Sequence, residues 1–286
     1  MESPVKIKYR TKSRTTTCIE KDGVVYLTYD IFAGYPIKAA VSTRLGGVSK
    51  GYLGSMNLSY TRGDDPACVR ENHRLLAKAV GYDETRLALS DQIHETTILR
   101  IEETDIREGK GCDGAVVQKG VDGLMTNVAK LPLMTFYADC VPLLFYDPGR
   151  HVIAMAHSGW KGTLAGIGPI ALSRMQKEYD CIREDVLCAI GPSICQSCYE
   201  VDQTVRDAFF EKWPQAAGQW FIPSNNPEHY LLDLASACRD TLMGAGAQKE
   251  HIAMPDLCTC CNPDFLFSHR ASGGKRGNLS VVMELL

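Results

Sequence analysis

A cysteine and a histidine near the ends of two successive apolar segments are the residues of this chain whose types and spacing best fit chemistry. The first segment reads Ala138-Asp139-Cys140-Val141-Pro142-Leu143-Leu144, and the second reads Ala156-His157-Ser158-Gly159-Trp160-Lys161-Gly162. Between them, Asp147-Pro148-Gly149 is typical of a turn. A hairpin over this stretch brings the Cys140 thiol close to the His157 imidazole, as soft-metal and nucleophilic sites require.

His94 is the third candidate, because it follows a predicted helix and precedes an apolar stretch. Two imidazoles and one thiolate suit zinc with an open fourth position, or copper if a weak axial ligand is added. Zinc there would hold the cysteine as thiolate and activate water near neutral pH. We expect Asp139 or Asp91 to orient a histidine or relay a proton.

Several residues near these segments are candidates for binding an anionic or aromatic substrate. The turn before the predicted helix at Thr163 offers backbone N–H groups to an anion, strengthened by Lys161. Trp160 either stacks on a base or anchors the structure. Arg44 precedes a Gly-Gly turn, where it either clamps a phosphate or carboxylate or lies on the surface.

The twelve cysteines fit thiols, metal ligands or catalytic groups better than disulfides, since no secretory signal is evident. Cys195 and Cys198 form a C-x-x-C motif, and Cys258, Cys260 and Cys261 form a C-x-C-C motif. The two would make a structural zinc site if they meet. Their spacing differs from that of tandem zinc knuckles, so we favour free thiols.

The elements that position these residues are predicted from hydrophobic patterning. Predicted strands span Val24 to Phe32, Ile37 to Thr43, Val141 to Tyr146, His151 to Ala156, Asp185 to Ile190 and Leu279 to Leu286. Predicted helices span Pro66 to Val80, Thr163 to Tyr179, Val201 to Trp213 and Leu231 to Gly244, with turns at Cys112-Asp113-Gly114 and Val121-Asp122-Gly123 and a loop over Pro214 to Glu228. Strands and helices do not alternate strictly, so we predict an α+β fold with a mixed sheet.

Composition narrows the class of protein. The 286 residues include 45% apolar residues and no evident linker, so we predict a single domain over residues 1–286. A net charge of -3 argues against nucleic-acid or anionic-membrane partners and favours a small-molecule substrate. The polar N-terminus and the absence of a long apolar run lead us to expect a cytoplasmic protein.

Many short motifs, in order over roughly residues 35 to 286, closely resemble one family. It is known variously as polyphenol oxidase (laccase-domain) proteins, peptidoglycan editing factors and purine nucleoside phosphorylases of the YfiH and YlmD type. The matching motifs are Ser42-x-Arg44-x-Gly46-Gly47-Val48-Ser49, Met56-Asn57-Leu58, Gly63-Asp64-Asp65, Gln92-x-His94, Ala138-Asp139-Cys140-x-Pro142, His157-x-Gly159-Trp160-x-Gly162, Ile190-Gly191-Pro192-Ser193-Ile194, Cys198-Tyr199-Glu200-Val201, Leu232-Asp233-Leu234, Cys258-Thr259 and Phe267-Ser268-His269-Arg270.

The resemblance implies a mixed β-sandwich flanked by helices, similar to the catalytic domain of cytotoxic necrotizing factor. It implies that His94, Cys140 and His157 bind a catalytic zinc, in preference to copper. The implied reactions are phosphorolysis of adenosine, inosine, guanosine or methylthioadenosine, with phosphate as co-substrate, and deamination of adenosine. The residues expected to bind substrate are Arg44, Asn57, Asp139, Trp160, Lys161 and Arg270.

The chain departs from the family pattern in places, and other functions stay open. Cys195 replaces a small residue, His269 replaces a frequent aromatic, and the usual Thr-Gly-Arg reads Gly274-Lys275-Arg276-Gly277, which leaves Arg276 without an assigned role. The alternatives are a copper polyphenol oxidase, a metal-free Cys-His amidase or deamidase acting on cell-wall precursors, and a non-catalytic zinc module. The seven histidines include no His-x-His pair, which argues against a multicopper centre.

Overall fold

Two large β-sheets stack face to face in the computed structural model, which describes residues 5–107 and 116–286. The strands are β1 Thr16–Lys21, β2 Val24–Tyr29, β3 Ile37–Ser42, β4 Ala88–Asp91, β5 Ile98–Arg100, β6 Val116–Lys119, β7 Gly123–Thr126, β8 Leu133–Tyr137, β9 Val141–Asp147, β10 Val152–Ser158, β11 Leu187–Ile190, β12 Glu200–Asp202, β13 Phe221–Pro223, β14 His229–Leu232, β15 Ile252–Ala253 and β16 Leu279–Leu285. The helices are α1 Pro66–Val80, α2 Glu103–Arg107, α3 Trp160–Ala165, α4 Ile167–Tyr179, α5 Gln203–Lys212 and α6 Leu234–Gly244.

Strand order shows that both large sheets are mixed. Over the described ranges, the first runs β1-β2-β3-β16-β8-β4-β6 and the second runs β15-β11-β9-β10-β7-β5. Both contain parallel and antiparallel pairs, for example β4 with β8 and β9 with β10. A small third sheet, β12-β14-β13, lies with the helices that cover the second sheet.

Alternating side chains on β9 show how the layers pack. Leu144 and Tyr146 enter the core between the two large sheets, whereas Val141, Leu143 and Phe145 enter the core formed with α4 and α6. Both faces of this strand are therefore buried, which is why it is apolar from Val141 to Tyr146 instead of alternating. A third core packs α1 against the outer face of the first sheet. The predicted α+β sandwich flanked by helices is confirmed.

Helix α1 forms over the predicted residues because its ends are encoded locally. The Asp65 side chain accepts a hydrogen bond from the Ala67 N–H, Pro66 occupies the first turn, and Gly81 ends the helix in the left-handed conformation.

Other predicted elements differ from the structure. The helix expected over Thr163 to Tyr179 begins earlier, at Trp160, and is divided by Gly166, whose φ of 80° interrupts it. Val201 and Leu231, predicted as helix starts, belong to β12 and β14. The predicted loop over Pro214 to Glu228 contains β13, which completes the small sheet.

Two predicted turns have different outcomes. Cys112-Asp113-Gly114 lies outside the described residues. The turn at Val121-Asp122-Gly123 joins β6 to β7, but these strands belong to different large sheets and Asp122 is buried. Among the residues that the structure describes, no helix has the length and apolarity to cross a membrane.

Candidate active site

Three of the predicted site residues converge where the two large sheets meet. Cys140 directly precedes β9, and His157 lies near the end of β10, which pairs antiparallel with β9 so that His157 is opposite Pro142. His94 follows β4 of the other sheet. Ligand atoms of His94, Cys140 and His157 all lie within 4.8 Å of one another. The predicted hairpin and the predicted cluster are both present.

One buried carboxylate, that of Asp122, positions both histidines. Its Oδ1 lies 2.9 Å from Nδ1 of His157, and its backbone carbonyl accepts the His157 N–H. The same carboxylate accepts the backbone N–H groups of Ile93, His94 and Glu95 at 2.9–3.1 Å. Because Nδ1 of His157 is held by Asp122, its Nε2 is left to face the site.

The conformation of His94 makes this convergence of N–H groups feasible. Its φ of 66° is left-handed, which a non-glycine residue adopts at a cost and which lets successive N–H groups surround one anion. The buried Asp122 carboxylate is the anion that compensates for this cost. The exposed His94 ring meets the buried His157 ring edge to face, with centroids 4.7 Å apart.

Charge coupling favours an ionised thiol in the site. Burial alone raises the pKa of Cys140, but the positive charge of His157 and hydrogen bonds with His157 and His94 lower the pKa to about 6. Burial alone lowers the pKa of His157, but the Cys140 thiolate and Asp122 outweigh it and raise the pKa to about 9. Burial also opposes ionisation of Asp122, yet its hydrogen bonds with His157 and the backbone lower its pKa. These interactions therefore favour the thiolate form of Cys140.

Gly159 leaves open the space beside the three ligands. A Cβ atom built at this position would lie 3.1 Å from Cδ2 of His94 and 3.2 Å from Sγ of Cys140. A side chain would therefore press on two of the ligands at once. The glycine of the predicted turn has a steric reason to be there.

Asp139 holds the framework next to the ligand Cys140. Its carboxylate accepts hydrogen bonds from the Thr259 hydroxyl at 2.6 Å and the Arg270 N–H at 2.7 Å. The carboxylate that orients His157 is that of Asp122, in place of the expected Asp139 or Asp91, and a proton-relay role for Asp139 or Asp91 stays a prediction.

Two residues expected to bind substrate have their polar groups engaged by the protein. The Arg44 guanidinium donates to the carbonyls of Gly54 and Pro263 and lies over the Phe267 ring. Asn57 is fully buried, and its side-chain amide is satisfied by donation to Ser59 and Asp64 and acceptance from Ser59 and Asn278. Asn57 therefore has no group left for substrate, and its role is corrected to a structural one.

Three further substrate candidates are Trp160, Lys161 and Arg270. The first two follow Gly159 directly, and the Arg270 N–H donates to Asp139, the residue before Cys140. Lys161 is exposed, and its Nζ lies 5.7 Å from the centroid of the half-buried Trp160 ring. The exposed Arg270 guanidinium donates to the carbonyls of Cys198 and Glu200 and lies over the Tyr199 ring. Roles in binding substrate stay predictions for Lys161, Trp160 and Arg270.

The two cysteine motifs also meet. Sulfur atoms of Cys195, Cys198, Cys258 and Cys261 all lie within 4.8 Å of one another, whereas Cys260 is outside the group. The two motifs are therefore close enough for four of their sulfur atoms to bind one metal ion.

Asp122 is a candidate positioning residue that the sequence did not reveal. Val121-Asp122-Gly123 has the composition of an ordinary turn, and its partner His157 is 35 positions away. Burial of the turn between two sheets gives the carboxylate its role, and no local pattern encodes that burial.

Comparison with known proteins identifies the family of this chain. Residues 38–285 match a family model described as multi-copper polyphenol oxidoreductase laccase. A purine nucleoside phosphorylase YlmD of Geobacillus stearothermophilus is 35% identical over 84% of this chain and 87% of its own length. A purine nucleoside phosphorylase of Bacteroides thetaiotaomicron is 33% identical over 90% of this chain and 95% of its own.

A solved structure gives the same result for the fold. The hypothetical protein YfiH of Bacillus licheniformis aligns with a TM-score of 0.86 and 31% identity, covering 93% of this chain and 98% of its own. The chain therefore belongs to the laccase-domain family of the YfiH and YlmD type, in which curated relatives bear the name purine nucleoside phosphorylase.

Proposed function

We propose that this protein is a zinc-dependent purine nucleoside enzyme. It phosphorolyses adenosine, inosine, guanosine and methylthioadenosine, and it also deaminates adenosine. The observation that carries the proposal is the convergence of His94, Cys140 and His157 beside the glycine at position 159, in a chain whose relatives are named purine nucleoside phosphorylases.

The donor set fits zinc better than a multicopper centre. Three protein ligands of mixed imidazole and thiolate type are typical of catalytic zinc, which keeps a fourth position open for a reactant. The buried Asp122 behind His157 is the kind of outer partner that such histidines have. The family description mentions copper, but the seven histidines of the chain contain no His-x-His pair. Bound zinc supplies Lewis acidity at the open position.

The residues of this chain then have separable tasks in phosphorolysis. The reaction breaks the bond between the base and the ribose, transfers the ribose to phosphate, and leaves the base with a proton. Lys161 attracts the phosphate dianion, since its ammonium is exposed two residues after Gly159. Trp160 offers a flat apolar surface for the base.

In deamination of adenosine, water adds to purine C6 and ammonia leaves. Bound zinc would activate the water for this addition. With Nε2 of His157 holding the metal, its Nδ1 keeps a proton and donates it in a hydrogen bond to the Asp122 carboxylate. Asp122 keeps this imidazole in one orientation throughout.

Release of free base tests the proposal. We expect purified protein to release hypoxanthine from inosine only when inorganic phosphate is present, with formation of ribose 1-phosphate. Cys140→Ala should abolish the release, and the matched control Cys68→Ala, on α1, should retain it. Equal turnover by wild type and Cys140→Ala would reject the assignment.

A metal-free amidase or deamidase is the second candidate, because Cys140, His157 and Asp122 are also arranged as a nucleophile, a base and an orienting acid. Chelation separates the two functions. A zinc enzyme loses activity to a strong chelator and regains it with zinc, whereas a thiol enzyme survives chelation and loses activity to alkylation. Activity that is unaffected by complete removal of metal would favour the amidase.

A further inference from the structure

The four-cysteine cluster, Cys195, Cys198, Cys258 and Cys261, lies at one edge of the second sheet, apart from the three ligands of the candidate active site. Strands β11 and β15 run parallel, so the loops that follow them leave the sheet at the same edge. Each loop carries one cysteine pair. An isolated bridge joins Ser193 to Cys258 and holds the two loops side by side.

The spacing of both pairs is that of a zinc knuckle. Cys195 and Cys198 form one C-x-x-C, and Cys258 and Cys261 form another, which the extra Cys260 obscures when the sequence is read as C-x-C-C. Two such pairs brought together supply four sulfur ligands, which is one of the closed donor sets typical of structural zinc.

Sulfur-to-sulfur distances match a tetrahedron around one ion. The Cys261 sulfur lies 3.9 Å from that of Cys195 and 3.5 Å from that of Cys198. With Zn–S bonds of about 2.3 Å, the edge of an ideal tetrahedron is about 3.8 Å. A disulfide would require about 2.05 Å, so the cluster has the spacing of ligands and not of bonded pairs.

Backbone N–H groups donate hydrogen bonds to a sulfur atom of the cluster, as they do to the thiolate ligands of metal ions. The N–H groups of Cys195 and Cys261 donate to the Cys258 sulfur at 3.2 and 3.4 Å. The Asn262 side chain fixes the second loop, since its amide donates to the carbonyls of Cys258 and Lys8. Such donors stabilise negative charge on sulfur, and they orient the loop before any ion binds.

We propose that Cys195, Cys198, Cys258 and Cys261 form a second, structural zinc site. Four sulfur ligands leave no open position, so the ion performs no chemistry. It joins the loop after β11 to the loop after β15 in a region where each loop also contacts the candidate active site. Thr259 donates to Asp139, and the Cys198 carbonyl accepts from Arg270.

Metal counting tests the proposal on the full-length protein, purified without added metal or chelator. We expect about two zinc ions per chain in wild type and about one in Cys261→Ser and in Cys195→Ser. Cys140→Ser should also hold about one, and the double variant Cys140→Ser with Cys261→Ser about none. The matched control Cys260→Ser should keep about two, since its neighbours remain and its own sulfur is outside the cluster.

Cobalt provides a readout that does not need the cluster variants to fold. Cys140→Ser protein reconstituted with Co²⁺ should show the intense absorption of a tetrahedral cobalt tetrathiolate, from the intact cluster. The proposal is overturned if that absorption is absent, if removal of Cys261 leaves the zinc content unchanged, or if mass spectrometry without reductant finds a Cys198–Cys261 disulfide.

Discussion

The two candidate metal-binding groups of this protein differ in the chemistry of their ligands, in their exposure and in their place in the fold. The active-site group mixes two imidazoles with one thiolate, lies where the two large sheets meet and includes the exposed ring of His94. The four-cysteine cluster uses sulfur alone and ties two loops together. Three ligands beside a glycine leave space for a reactant, whereas four sulfurs enclose an ion completely. If both proposals hold, ligand number and neighbouring space, more than ligand type, separate the reactive site from the structural one.

The largest effect on activity is expected from a side chain placed in the space beside His94, Cys140 and His157. Gly159→Ala places a Cβ within 3.2 Å of two ligands, so we expect phosphorolysis to fall by about 100-fold or more. Gly218→Ala is the matched control, because nothing lies within 4 Å of a Cβ there. Kinetics with inosine and phosphate measure both variants. Full activity in Gly159→Ala would remove the steric distinction between the two groups.

The next effect comes from the carboxylate behind the open group. Asp122→Asn loses the negative charge that accepts three N–H groups and holds His157, so zinc affinity at this group should fall by about 10- to 100-fold. Competition with a chromogenic chelator measures the affinity. Asp91→Asn, at an exposed position on β4, serves as control and should bind zinc as wild type does. An unchanged affinity in Asp122→Asn would contradict its positioning role.

The free energy of unfolding should depend more on the four-cysteine cluster, the closed group, than on His94, Cys140 and His157, the open group. Cys261→Ser removes one of four ligands that join two loops, and we expect the midpoint of thermal unfolding to fall by about 5 to 10 °C. Cys140→Ser, at the open group, should shift it by less than half as much. Calorimetry of both variants in zinc-containing buffer makes the comparison. The reverse order of the two shifts would contradict the division of roles.

The smallest effect concerns the buried ring of His73. Its Nε2 donates to the Leu58 carbonyl, and its Nδ1 has no hydrogen-bond partner among the residues that the structure describes. Burial lowers the pKa of His73 to about 4. The folded state therefore favours the neutral ring. The resulting stability is fully present above the unfolded pKa of 6.5 and is lost as pH falls towards 4.

Urea unfolding of wild type and His73→Gln isolates the pH-dependent contribution of His73 to the free energy of unfolding, because glutamine keeps a donor but does not titrate. Between pH 7.5 and pH 5 we expect wild type to lose about 2 kcal/mol more than the variant. Parallel pH profiles for the two proteins would show that the buried ring does not titrate as its surroundings predict.

Local patterns predicted the elements whose ends are encoded nearby. Helix α1 has its cap, its proline and its terminal glycine within the predicted segment, and the apolar runs of β9 and β10 define a hairpin. Helix α3 was misjudged, because Gly166 interrupts the helical pattern through a left-handed φ that composition alone does not reveal. Strands β12 and β14 are short, and pairing with each other stabilises them more than their own sequence does.

Only part of the candidate site can be predicted from the sequence, because local patterns do not determine which strands become neighbours. His94, Cys140 and His157 were found because their residue types are chemically conspicuous beside strand ends and because of the family resemblance. Asp122 was missed, and the meeting of the two cysteine motifs was left open, because both depend on which strands become neighbours. The parallel pairing of β11 with β15 brings the cysteine loops together, and this pairing is not written in either loop.

The decisive measurement is formation of ribose 1-phosphate from inosine and inorganic phosphate, made side by side for wild type, Cys140→Ser and Cys260→Ser with equal protein and added zinc. We expect turnover by wild type and by Cys260→Ser and none above background by Cys140→Ser. Turnover by Cys140→Ser at the wild-type rate, or none by folded, zinc-loaded wild type, would contradict the proposed function.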